Sequence, residues 1–179
     1  MKSQSSTTWV ALGVIAAGVV MRLLPHPANV TPLAALALVG GTIFPDRRWA
    51  LLVPLAAIIA SDLWLGFHVT IPFTWGSVVL IGLIGLWVRR QAGWTRLIVG
   101  SVLGSTLFFV ITNFGVWWLG HGQWYPRTWA GLLDCYAAGI PFYRQTLVGD
   151  LGYAFLLFGT YHLAAARLQR SAAVAGSST

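Results

Sequence analysis

The chain has 179 residues, 57% hydrophobic and only 8% charged, with a mean hydropathy of +0.74. A soluble domain carries about 25% charged residues, so the composition excludes an ordinary soluble globule and indicates one integral membrane domain over residues 1–179. The net charge of +7 does not mark a nucleic-acid binder, since no basic helix or aromatic RNA motif accompanies it, and a single cysteine excludes an internal disulfide framework.

A helical span needs about 20 apolar residues. Six runs approach that length: 8–24, 31–44, 49–67, 70–88, 97–119 and 146–166. The first follows Lys2 and ends at Pro25 and Pro27. It has no small-x-small cleavage site, so it is expected to be a retained helix rather than a signal peptide. The second is short and Gly-rich, which predicts a tilted, partly unwound or re-entrant segment. Asp62 closes the third run, and Asn113 interrupts the fifth near its far end. Between runs five and six, Trp129, Leu132, Leu133 and Tyr136 recur at helical spacing. That pattern predicts an interfacial helix over 128–139, lying across the outer surface as a lid. Asp150 falls at the start of run six. The expected fold class is therefore all-α: a polytopic bundle of about six transmembrane helices, with an outer interfacial helix between helices five and six.

Charge sets the expected orientation. Lys2, Arg47, Arg48, Arg89, Arg90, Arg96, Arg167 and Arg170 fall on one side of six alternating spans, and Arg22, Arg127 and Arg144 on the other. The positive-inside rule places the larger set, and both termini, in the cytoplasm. The outer side then collects Arg22, His26, Asn29, Asp62, His68, Asn113, His121, Trp124, Arg127, Asp134, Cys135, Arg144 and Asp150. Asp62, Asn113 and Asp150 are expected near one depth under the aromatic lid.

Each polar feature also has a structural reading. Arg22, inside an apolar run, is expected to pair with Asp62 or Asp150, either to lock helices together or to line a ligand cavity. Asn113 can hydrogen-bond across helices, while Trp117, one turn on, presents an indole on the same face. Asp62 and His68 could ligate a metal, but no paired cysteines and no H-x-x-x-H or H-E-x-x-H spacing support one. Cys135 is a packing residue unless a base lies nearby. No hydrolase elbow and no ATP-binding loop occurs. Gly13-x-x-x-Ala17, Ala56-x-x-x-Ala60 and Gly100-x-x-x-Gly104 are expected to let helices approach closely.

Taken together, Arg22-Leu-Leu-Pro-His-Pro, Ser61-Asp62-x-x-x-Gly66, Thr112-Asn113-Phe-Gly-Val-Trp117, Tyr125-Pro-x-Thr and Gly149-Asp150-Leu151 resemble a family of small bacterial integral membrane proteins of uncharacterised function. The bacterial cytoplasmic (inner) membrane is the location this implies. The architecture is also similar to the S components of energy-coupling factor vitamin transporters. That similarity implies a vitamin-like ligand held near the outer face, with a transmembrane coupling subunit and ATPases as partners. In cobalamin-binding relatives of S components a cysteine meets the cobalt, so the resemblance admits cobalamin as a ligand at Cys135. No resident cofactor or metal is expected.

The expectation carried forward is uptake of a small molecule. Asp62, Asn113 and Asp150 would orient the ligand, and Trp117, Trp124 and Tyr125 would stack on it. Arg22, His26, Asn29, His68 and Cys135 complete the set. Two alternatives stay open: an intramembrane enzyme using Cys135, His or Asp at the outer face, and a non-catalytic scaffold. The scaffold reading predicts both buried aspartates consumed in ion pairs with no cavity beside them.

Overall fold

The computed structural model describes residues 13, 16–24, 30–44, 46–91 and 93–177, with side chains through 163. His26 and Asn29 lie outside the described residues. The described chain is all helical: α1 (16–23), α2 (Leu33–Ile43), α3 (Arg47–Leu65), α4 (Ile71–Val88, extended by a 3-10 turn Arg89–Gln91), α5 (Trp94–Leu119) and α6 (Trp129–Ser177). Local chemistry explains several boundaries. The Asp46 carboxylate accepts the Arg48 backbone N–H at 2.8 Å and so caps α3. Pro72 sits in the first turn of α4, where its missing N–H costs nothing.

Arg47–Leu65, Ile71–Gln91 and Trp94–Leu119 are long and apolar enough to cross a membrane. By contrast, α2 has 11 residues, about 16 Å of helix, which is short of the roughly 30 Å of a hydrocarbon core. It forms the centre of the bundle, packed against α3, α4, α5 and α6 with most of its side chains buried. Its glycines serve close approach. A Cβ on Gly41 would lie 2.6 Å from the Gly85 Cα, and one on Gly85 would collide with the Leu38 carbonyl oxygen. The α2–α4 contact is therefore backbone against backbone. The stripe Gly100/Gly104 receives Val88 and Ile81 of α4, as the small-residue spacing predicts.

The consecutive helices α3, α4 and α5 alternate in direction. Arg47, Arg48, Arg89, Arg90 and Arg96 therefore gather at one end of the bundle. There Arg89 donates to the Phe44 carbonyl at 3.0 Å, covering the exit of α2, and Arg96 lies 5.2 Å from the Trp87 ring. The opposite end holds Arg22, Asp62, His68, Asn113 and the 120–128 turn.

One expectation needs correction. There is no separate surface helix over 128–139. Helix α6 is continuous for 49 residues with Pro141 inside it, and it runs antiparallel along α5 from its start. Cys135 meets Asn113, Tyr143 meets Thr106, Asp150 meets Ser105, and Phe158 meets Trp94. Of the positions that suggested an interfacial helix, Tyr136 packs on Phe109 of α5, while Trp129 and Leu133 stay exposed. Two consequences follow. Helix α6 begins well before residue 146, which brings Arg144 to the level of Thr106. Asp150 also leaves the rim: its partner Ser105 is eight residues from Asn113, about 12 Å deeper along α5.

Candidate functional site

Asp62 is 1% exposed and bonded through both oxygens. Oδ1 forms an ion pair with Arg22, and Oδ2 accepts the Trp75 indole N–H at 2.7 Å. Arg22 also donates to the Ser61 hydroxyl at 2.6 Å. This cluster ties α1, α3 and α4 together. A buried carboxylate is tolerated where a cation and further donors satisfy it, and here an arginine and an indole do so. Between the two options the sequence left for Arg22, the structure selects Asp62. Trp75 was missed because it lies 13 residues from Asp62, across the α3–α4 turn, beyond any helical spacing.

Beside this cluster lie two adjoining cavities. The larger, about 300 Å³, lies between the start of α4, the second half of α5 and the first half of α6. Its polar lining includes Arg22, His68, Thr70, Thr74, Asn113 and Thr146. The smaller, about 100 Å³, shares Arg22, Thr74, Phe108 and Thr146 with it and ends at Asp150. Together they make a cleft from the acid-bearing end of the bundle towards its middle. Phe108, Phe109 and Phe142 supply flat apolar walls.

Asn113 is held in place rather than free to swing. Its Nδ2 donates to Phe109 O at 2.8 Å. Its Oδ1 packs against Gly139 so closely that a Cβ there would lie 2.5 Å away. His68 approaches Thr74 Oγ1 at 3.4 Å. Asp150 accepts the Ser105 hydroxyl at 2.7 Å, is 4% exposed, and has no ion pair among the described residues.

The structure thus brings Arg22, His68, Asn113 and Asp150 to one cleft, with Asp62 behind Arg22. It places the other predicted residues elsewhere. Trp117 donates to Pro126 O at 2.9 Å. Arg127 donates to Trp118 O at 2.9 Å and stacks 5.3 Å from that ring, so the 120–128 turn folds over the end of α5. Trp124 packs on Gly120, and Tyr125 is half-buried in the same turn. Cys135 is 2% exposed, its thiol directed at Asn113 O at 3.4 Å. None of these five lines either cavity. The described residues contain no group of three or more His, Cys, Asp or Glu able to hold a metal.

Fold and site define an all-helical bundle of membrane-protein composition, with a polar cleft between its helices. The chain belongs to DUF6580, a family of unknown function, which it matches over residues 2–173. No curated protein and no solved structure matches it.

Proposed function

We propose that the protein is a polytopic membrane protein that binds a small polar heterocycle in the cleft between α4, α5 and α6, in the manner of a vitamin-uptake S component. About six crossings in a bacterial inner membrane, with the arginine-rich end cytoplasmic, complete the reading. The observation that carries it is the continuous cleft from His68 and Asn113 to Asp150. Binding sites of this kind have mostly apolar walls with a few convergent polar groups, and volumes from about 300 Å³ upwards. Phe108 and Phe142 would sandwich a ring, while Asn113, Thr146 and Asp150 would take its hydrogen bonds. A one- or two-ring ligand suits this space better than cobalamin, for which Cys135 is not in position. Transport would need a coupling subunit and ATPases, since the chain has no ATP-binding loop.

The enzymatic reading is weaker, because the Cys135 thiol contacts a backbone carbonyl and, among the described residues, no base. The scaffold reading fits Asp62 but not Asp150, which has a cavity beside it. The test is native mass spectrometry of the detergent-purified protein, followed by solvent extraction of anything bound. A stoichiometric small molecule is expected, and it should be absent from Thr146→Trp, which fills the junction of the two cavities. Wild-type protein that carries no ligand and takes up none from a bacterial metabolite extract would overturn the reading.

A further inference from the structure

Six hydroxyl side chains are buried among the described residues: Ser61, Thr74, Ser77, Ser101, Ser105 and Thr146. Four donate to a carbonyl about one turn earlier in their own helix, Ser61 to Ile58, Thr74 to Thr70, Ser77 to Phe73 and Thr146 to Phe142, while Ser105, whose one proton goes to Asp150, lies 2.9 Å from the Ser101 carbonyl oxygen. That back-bond is the ordinary way a helical hydroxyl satisfies itself in an apolar bundle. Ser101 is the exception. Its Oγ is buried and has no partner. A buried polar atom left in this state costs free energy.

The position of Ser101 supplies the reason. It lies one turn from Ser105 on the same face of α5, and Ser105 Oγ is 2.7 Å from Asp150 Oδ2. All three line a small space of about 10 Å³ between α2, α4, α5 and α6, beside Gly100 and Gly104. That is about the room one water-sized occupant needs. Asp150 also ends the smaller of the two cavities, so this space adjoins the cleft.

We infer that Asp150, Ser105 and Ser101 form a binding site for one Na⁺ ion at the middle depth of the bundle. A lone carboxylate in a water-poor core is costly unless a positive charge neutralises it, and among the described residues Asp150 has no ion pair, the Arg22 guanidinium being paired with Asp62. Carboxylate and hydroxyl oxygens are hard ligands that suit a hard cation. One carboxylate balances one monovalent charge, and the confined space favours a small ion over K⁺. With Na⁺ bound, the Ser101 oxygen acquires the partner it otherwise lacks. Asp150 is shared with the organic site proposed above, whereas Ser101 and Ser105 line only this space.

The experiment is ²²Na⁺ binding to the purified full chain in choline buffer, read by scintillation proximity, alongside thermal unfolding in choline, K⁺ or Na⁺ at constant ionic strength. Saturable binding of one ion per chain is expected, with Na⁺ but not K⁺ raising the unfolding temperature. Ser101→Ala should weaken binding by about tenfold or more, as loss of one bond to a charged group does, yet unfold at or above the wild-type temperature in choline. Asp150→Asn should abolish both binding and the Na⁺ shift. Absence of saturable binding, or binding by Ser101→Ala at wild-type strength, would overturn the inference. So would stabilisation by acid alone with no Na⁺ effect, which would mean that Asp150 holds a proton.

Discussion

The ion pair between Arg22 and Asp62 offers the sharpest test of what holds the acid-bearing end together. Asp62 is 1% exposed, and the Arg22 side chain 16%. Replacing Asp62 with Asn keeps the shape and an acceptor for Trp75 but leaves the guanidinium facing a neutral amide. Removing one partner of a buried pair costs about 3–5 kcal/mol. Arg22 keeps some contact with solvent and its bond to Ser61, so the lower end, about 3 kcal/mol, is expected for Asp62→Asn. A double-mutant cycle with Arg22→Gln isolates the pair, because each substitution removes the interaction while leaving the other side chain in place. The expected coupling is about 2 kcal/mol, read from reversible unfolding in mixed micelles. Neutral hydrogen bonds between membrane helices average about 0.6 kcal/mol in such cycles. A coupling at or below that value would refute the view that charge pairing, rather than the surrounding packing, secures Asp62.

Gly85→Ala should destabilise the protein by about 1–3 kcal/mol in the same unfolding assay, because the added methyl meets the Leu38 backbone, which cannot rotate away. Gly76→Ala, where a Cβ meets nothing within 4 Å, should be neutral or stabilising by up to about 1 kcal/mol; equal losses at both positions would contradict the close α2–α4 crossing. Cys135 should resist maleimide in the folded protein and react fully once the protein is unfolded in SDS. Rapid stoichiometric labelling of the native state would contradict its burial between α5 and α6.

Much of the helix pattern was legible because apolar runs and the charges that end them are local signals. The runs 49–67, 70–88 and 97–119 correspond to α3, α4 and α5 within a few residues. Gly100 and Gly104 were read as packing residues from spacing alone, and Arg22 was expected to pair with a carboxylate. The misjudged segment was 120–145. Its polar and aromatic residues resemble an interface in one dimension, but from 129 on they belong to a long helix whose small residues Gly131, Cys135 and Gly139 are the buried ones. Ser101 gave no signal, since a serine in an apolar run reads as a small packing residue. Its lack of a back-bond is visible only in three dimensions.

By itself, the sequence determined that this is an all-helical chain of membrane-protein composition with basic and acidic ends, because hydropathy and charge are properties of each residue in place. The tertiary structure decided which partner each polar group meets. It gave Asp62 to Arg22 and Trp75, because the turn between α3 and α4 brings residues 13 apart together. It also lowered Asp150 to the level of Ser105, with no ion pair among the described residues, because a continuous α6 fixes depth by helical rise along α5 rather than by where an apolar run begins.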